Sequence, residues 1–330
     1  MIQLFKKNDF SHIVILLPYT VLLRLHSLLY PEGFTAIADD GIVNTWIFNE
    51  LLVLPLAQSL VGILLVYVQA LMINLVVNQN RILRTPSALP GLVYVLLMSA
   101  VTGFQGLNPL IIAVTFALLA SFSVLSVYKK TNVPGKIFNA SFLIGLASVF
   151  YMPFLVLFIT NFIGILSLRN FSIRERLQYL IGLVVVYWIM GSFLYYFDQQ
   201  GYLTFNAFGW LGSIHLFQTT SATELIFLVV LGLLILVSVL NYYNFLKKKG
   251  IDVRKKIVYF YWFGFCLLLT FLLFQGLSWF HLAIFCVPIS VFFGMVLLDL
   301  RNTSLAELLH LLMLIGIMYG HFGTVLGLNG

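Results

Sequence analysis

The chain has 330 residues, of which 61% are hydrophobic and only 9% are charged, and its mean hydropathy is +1.04. A soluble domain carries about 25% charged residues, so this composition excludes a water-soluble globular protein and makes lipid the main solvent. The net charge of +7 does not indicate nucleic-acid binding, because the basic residues form short clusters between apolar runs. Both cysteines lie in apolar segments, so we expect buried free thiols and no disulfide framework.

Apolar runs recur along the whole chain, and about 20 apolar residues suffice for a helix to cross the hydrocarbon core. We therefore predict an all-α polytopic bundle of about eleven spans, forming a single membrane domain over 1–330 with no soluble domain. The runs are 11–30, 48–77, 89–103, 108–127, 137–151, 153–168, 178–197, 223–245, 257–276, 279–298 and 305–326. Three of them, 89–103, 137–151 and 153–168, are short. Each is either a full span or half of a re-entrant hairpin buried against protein.

The first run resembles a signal peptide, since Lys6 and Lys7 precede it and AIA at 36–38 is typical of a cleavage site. Arg24 and His26 make the intervening region unusually long and charged for a signal. We therefore interpret residues 11–30 as a retained first span.

Lysine and arginine predict the orientation, because cytoplasmic links carry them in excess. With a cytoplasmic N-terminus, all but one of the 18 basic residues fall on the inner side, and the exception is Arg24. The predicted location is thus the bacterial inner membrane, with a periplasmic C-terminus. SIRE at 172–175 and SLAE at 304–307 are capping-box patterns that predict helix starts on the inner side, with Ser172 and Ser304 as N-caps.

Acidic residues are densest in the predicted outer link YPEGFTAIADDGIVNTWIFNELL, residues 30–52. It holds Glu32, Asp39, Asp40 and Glu50. Acids are permitted on an outer face, so part of this pattern is only the counterpart of the positive-inside rule. Beyond that, Asp39 and Asp40 are adjacent in a short link, and Arg24 and His26 lie in the outer half of the first span.

An ionisable residue within a span is a functional hypothesis that needs a partner. For Arg24 the partner is either a carboxylate of Asp39, Asp40 or Glu50, or the phosphate of a lipid carrier, which a guanidinium binds with two parallel hydrogen bonds. The sequence leaves both open.

Two further links have predicted roles. The aromatic link 198–223 is either an interfacial helix in the headgroups or a roof over the acidic pair, with His215 at its margin. The sequence KKKGIDVRKK at 247–256 is predicted to be a topological anchor that touches anionic lipid.

The order of first span, acid-bearing outer link and long second span resembles the start of GT-C superfamily membrane glycosyltransferases. IFNASFLIGLASVFYMPFLVLFI at 137–159 resembles a hairpin of that superfamily. The resemblance implies that Asp39 or Asp40 is a general base or a ligand of a divalent cation, beside a polyprenyl-phosphate sugar. From their positions beside this link we predict that Arg24, His26, Glu50 and His215 bind the substrate.

Over its whole length the chain resembles an uncharacterised polytopic inner-membrane family of Bacteroidetes. The resemblance rests on MIQLFKKNDF at the start, QALMINLVVNQNRI at 69–82, LNPLI at 107–111 and IFNASFLIGLASVFYMP at 137–153. Members often bear the name β-carotene monooxygenase, but the six histidines are scattered and form no iron-binding cluster. The E-x-x-H pattern of Glu307 and His310, with His321 on the same stripe, lacks the second half of a di-iron motif, and we do not interpret it as a metal site.

Three functions follow from these patterns. The first is an envelope-biogenesis transferase that acts on a lipid-linked sugar at the outer face. The second is a non-catalytic subunit that holds other inner-membrane proteins of an envelope or secretion complex. A small transporter is the weakest, because mid-bilayer acids and inverted repeats are absent from the sequence.

Overall fold

A computed structural model describes residues 2–7, 10–36, 42–130, 133–198, 222–247, 249–274, 279–300 and 302–322. These residues form helices, and no β-strand occurs among them. The α-helices are α1 Ile2–Phe5, α2 Phe10–Leu23, α3 Leu25–Leu29, α4 Ile42–Trp46, α5 Pro55–Gln79, α6 Leu89–Met98, α7 Pro109–Leu125, α8 Pro134–Phe150, α9 Leu157–Leu168, α10 Ile173–Tyr196, α11 Ala222–Leu240, α12 Tyr242–Leu246, α13 Ile251–Leu273, α14 Cys286–Asp299 and α15 Thr303–Phe322. Short 3₁₀ segments at Thr102–Phe104, Met152–Val156 and Trp279–Phe285, and a π-helical turn at Ile47–Leu51, connect them.

The helices confirm a membrane protein. Within the described ranges, five are long and apolar enough to cross a bilayer: Pro55–Gln79, Ile173–Tyr196, Ile251–Leu273, His281–Asp299 and Thr303–Phe322. Six shorter apolar helices accompany them. Every predicted apolar run thus contains an apolar helix, while the number that cross the whole bilayer stays a prediction.

Contacts between links sort them into two groups at the two ends of the bundle. One group, which we call the basic end, joins residues 2–7, 80–88, 126–130, 249–256 and 299. Its contacts include Ala88 N to Phe5 O at 3.0 Å, Lys249 Nζ to Ile82 O at 2.9 Å, and Lys256 Nζ over the Tyr128 ring at 5.6 Å. These predicted inner links therefore lie together, while the position of the link 169–176 stays a prediction. That this end faces the cytoplasm stays a prediction from the charge pattern.

The other group, the acid-bearing end, joins residues 24–36, 42–54, 99–108, 150–154 and 279–285. Asn44 Nδ2 donates to Phe150 O at 2.8 Å, and Tyr151 Oη lies 3.1 Å from His281 Nδ1. The 25-residue helix α5 runs from this end to the basic end, a length of about 37 Å. The segment 249–256 and the described parts of the link, 30–36 and 42–54, are therefore at opposite ends.

The core contains a short helix, α6, that has almost no exposed surface. Every residue of α6 is buried, and at ten residues it is only about 15 Å long, half of what a full crossing needs. It packs against α5 and α14. The approach to α14 is close, since a Cβ on Gly294 would lie 2.9 Å from Pro90 Cγ. The short run 89–103 is therefore a helix that ends inside the protein.

The two capping-box predictions have different outcomes. At α10 the box is present, with Ser172 Oγ accepting from Glu175 N and the Glu175 side chain accepting from Ser172 N. The N-cap prediction for Ser304 is wrong, because Asn302 Oδ1 accepts from Ser304 N at 3.0 Å and α15 begins one residue earlier. Glu307 instead accepts from Gln3 N at 3.3 Å and ties α15 to α1.

Candidate functional site

The Arg24 guanidinium lies fully buried at the break between α2 and α3. Its Nη1 donates to Gln105 O at 2.9 Å, and its Nη2 donates to Met98 O at 2.7 Å and to Phe104 O at 2.8 Å. Three of its five N–H groups are therefore already used on backbone carbonyls. No carboxylate of the described residues forms an ion pair with it.

One of these carbonyls, Met98 O, is at the C-terminal end of α6, and the other two belong to the link that follows it. The last carbonyls of a helix have no intrahelical partner, and the helix dipole makes that end negative. A buried helix end without donors is costly. Arg24 supplies a donor and the complementary charge to the end of α6 and also donates to the link, so it caps both from a distant segment of the chain.

His321, near the end of α15, completes the same cap. Its Nε2 lies 2.6 Å from Ser99 O and 2.6 Å from the Gln105 side-chain nitrogen. Because a carbonyl can only accept, the contact with Ser99 O needs a proton on Nε2, whereas the Gln105 amide nitrogen can only donate and needs an Nε2 without one. The ring stacks on that of His26 with centroids 5.7 Å apart, and His26 is only half-buried. His26 thus connects the buried cluster to the surface of the bundle.

Several buried polar atoms of this cluster have no hydrogen-bond partner. They are Arg24 Nε, Ser99 Oγ, Gln105 Oε1 and His321 Nδ1. Burying such groups unsatisfied costs about 1–3 kcal/mol each, so native proteins keep few of them, and their concentration here is unusual.

Side-chain amides hold the first part of the acid-bearing link above the start of α5. Gln58 Oε1 accepts from Phe34 N at 2.7 Å, while its Nε2 donates to Phe34 O at 3.1 Å. Asn49 forms the same two-way pairing with the backbone of Ala36, at 3.1 and 2.9 Å. The neighbouring link 99–108 lies deeper in the bundle than the start of α5. Its Leu107 N is near Gly62, which is about 10 Å along the α5 axis from Pro55, the first residue of that helix.

The structure brings together only part of the predicted site. Arg24 and His26 lie in one cluster, whereas Glu50 is exposed and forms no ion pair with Arg24. Asp39, Asp40 and His215 lie outside the described residues, so the proposed pairing of Arg24 with either aspartate stays a prediction.

The histidines on α15 serve separate contacts. His310 Nε2 lies 2.8 Å from Tyr19 Oη, while His321 is at the α6 end. Within the described ranges, no three His, Cys, Asp or Glu side chains are arranged to hold a metal ion.

Sequence reasoning missed Ser99, Gln105 and Asn49. Their roles depend on backbone groups that only the fold places beside them. The one available signal was length, because an apolar run of 89–103 followed by polar residues predicts a helix that ends in the interior and needs a cap.

Comparison of the chain with protein-family models, curated proteins and solved structures finds no significant match.

Proposed function

We propose that the protein is an enzyme of the bacterial inner membrane that takes part in building the cell envelope. It transfers a sugar from a polyprenyl-phosphate carrier at the acid-bearing end, which faces the periplasm. Asp39 or Asp40 acts as general base or holds a divalent cation, and His26, Glu50 and His215 contact the substrate. Its other partners are membrane lipids and envelope proteins, and it binds no nucleic acid.

The observation that supports this proposal is the polar cluster around Arg24. A cation buried in a membrane bundle is expensive, and such residues mark functional sites by default. Here the cation has no carboxylate partner among the described residues, and it lies at the end of the bundle to which residues 30–36 and 42–54 belong. An anionic substrate at this end would experience the uncompensated charge.

Arg24 acts in this proposal as a positioning residue. Its guanidinium is fully buried, and both Nη2 hydrogens are on carbonyls, so a two-point phosphate contact would have to displace α6. The half-buried His26 is the member of the cluster within reach of a headgroup.

The first prediction concerns the acidic pair. Membrane vesicles containing the protein are incubated with polyprenyl-phosphate sugars whose sugar is radiolabelled, and loss of label from the lipid is measured. Asp39→Asn combined with Asp40→Asn should lower the rate about 100-fold or more, the usual contribution of a general base. Expression and folding should stay unchanged.

Glu32→Gln is the matched control, because Glu32 is an exposed acid of the same link. It should keep the wild-type rate. A wild-type rate in the double variant would refute the catalytic role of the pair.

A non-catalytic membrane subunit is the second candidate, and the carbonyl contacts of Arg24 favour it. They give the buried arginine a structural role as a cap on the end of α6 and on the link after it, without a substrate. In that case the Asp39→Asn and Asp40→Asn changes are tolerated, and affinity purification recovers a partner protein in stoichiometric amount.

A further inference from the structure

A polar crevice opens at the basic end, on the opposite side of the bundle from the proposed active site. It has a volume of about 410 Å³ and lies between the link after α5, helix α12 and the end of α14. Its polar lining consists of Arg84, Asn241, Asn244, Lys247 and Asp299. A smaller continuation of the same crevice reaches Lys249.

The crevice carries an excess of positive charge. Arg84, Lys247 and Lys249 face a single lining carboxylate, Asp299. Arg84 Nη1 lies 3.4 Å from Asp299 Oδ1, but the two side chains are 59% and 38% exposed. Such an exposed pair is weak and leaves Arg84 able to turn toward another anion.

Lys249 is the most enclosed of the three cations. Its Nζ donates to Ile82 O at 2.9 Å, which orients the ammonium but does not neutralise it. Desolvation by burial is the largest influence on its pKa and lowers it, while Asp299 opposes and Arg84 reinforces this shift. A bound anion would offset the cost of holding this ammonium charged.

One wall of the crevice is apolar and rigid. Phe245 is buried and stacks on Phe292 of α14, with ring centroids 5.9 Å apart and planes 8° apart. Val296 and Leu300 extend this wall. Basic groups beside an apolar wall at the end of membrane helices match a phosphate headgroup joined to acyl chains.

We propose that this crevice binds an anionic phosphate group, with Arg84 and Lys247 as the principal contacts. Asn241 Nδ2 already donates to Val237 O at 2.9 Å and Asn244 Nδ2 to Asn241 Oδ1 at 3.3 Å, and the second hydrogen of each amide is the donor for the phosphate oxygens. A lipid headgroup and free phosphate share this chemistry. The site does not depend on the proposed transferase function, since it involves other residues at the other end of the bundle.

The second prediction tests this site by native mass spectrometry of the full-length protein in micelles, with phosphatidylglycerol and phosphatidylcholine as probes. Wild type should retain phosphatidylglycerol in preference to phosphatidylcholine. Arg84→Gln combined with Lys247→Gln should weaken phosphatidylglycerol binding about tenfold or more, because each basic group near an anionic surface contributes several-fold. Asp299→Asn should strengthen it.

Arg174→Gln combined with Lys255→Gln is the control, since it removes the same charge from residues that do not line the crevice. It should leave phosphatidylglycerol binding unchanged. Equal retention of the two lipids by wild type, or equal losses in the two double variants, would overturn the proposal.

Competition with inorganic phosphate distinguishes the two sources of the anion. If millimolar phosphate displaces phosphatidylglycerol, the crevice is a site for free phosphate. If wild type keeps phosphatidylglycerol in the presence of phosphate, and the variant Arg84→Gln with Lys247→Gln does not retain the lipid, the ligand is the lipid headgroup.

Discussion

At the scale of single residues, Arg24 is a buried charge that contacts no carboxylate of the residues that the structure describes. Three carbonyl dipoles, at 2.7 to 2.9 Å, surround its guanidinium. The arrangement is reciprocal, because the carbonyls at the end of α6 and in the link after it need donors as much as the cation needs acceptors. Removing either side leaves the other unsatisfied in the buried interior.

Arg24→Met should therefore destabilise the protein, and this is the third prediction. The lost donors leave buried acceptors at a cost of about 1–3 kcal/mol each, partly offset because no charge is buried any longer. We expect a net loss of about 2 kcal/mol or more and a clearly lower Tm. Arg24→Lys should restore only part of the lost stability, since one ammonium cannot reproduce the planar fork of a guanidinium.

Two native thiols allow the Tm to be measured without an engineered cysteine. Cys266 and Cys286 are free and buried, so a thiol-reactive fluorophore reports unfolding on heating. Arg174→Met, at an exposed position, serves as control and should keep the wild-type Tm. An unchanged Tm in Arg24→Met would contradict the capping role and return Arg24 to the list of substrate contacts.

At the scale of the element, the bundle depends on small residues that let helices approach closely. A Cβ on Gly182 of α10 would lie 2.6 Å from Phe138 O of α8 and would clash with Ser141 Oγ. Close backbone approach of this kind is how membrane helices gain packing energy, since lipid gives them no hydrophobic drive to associate.

Gly182→Ala should separate α8 from α10 and lower stability, as the fourth prediction. Overpacking costs about 1–3 kcal/mol, which exceeds the gain of about 1 kcal/mol in helix propensity. Gly232→Ala is the matched change on α11, where nothing lies within 4 Å of the added Cβ, and it should be neutral or stabilising. The same thermal thiol assay compares them, and equal Tm values would show that the α8–α10 contact tolerates a methyl group.

At the scale of the whole molecule, the two ends of the bundle differ in charge. The fifth prediction concerns which side of the membrane each end faces. Lys247 at the basic end and Glu32 at the acid-bearing end are both exposed. In intact cells a membrane-impermeant maleimide should label Glu32→Cys and leave Lys247→Cys unlabelled, because the basic end is expected in the cytoplasm.

Permeabilising the cells should make Lys247→Cys reactive, and the wild type should stay unlabelled in both conditions because its own thiols are buried. Labelling of Lys247→Cys in intact cells would invert the topology. The acid-bearing end would then face the cytoplasm, and a transferase at the outer face would be excluded.

The amino-acid sequence by itself determined the membrane class, the positions of the apolar helices, the grouping of most basic links at one end, and the capping box at Ser172. These features depend on composition and on spacing within a few residues, because each helix forms and inserts into lipid largely independently of the other helices. The error at Ser304 arose at the same local level, where Asn302 offered a competing cap two residues earlier.

Only the tertiary structure decided what surrounds Arg24 and His321, and that the crevice exists. The partners of Arg24 are carbonyls 74 to 81 positions later in the chain, and Ser99 and His321 are 222 positions apart. Backbone carbonyls carry no sequence signature, so no pattern of letters distinguishes one that is satisfied within a helix from one that is left at a buried helix end. That difference arises only when α6 stops halfway through the bundle and other helices close around it.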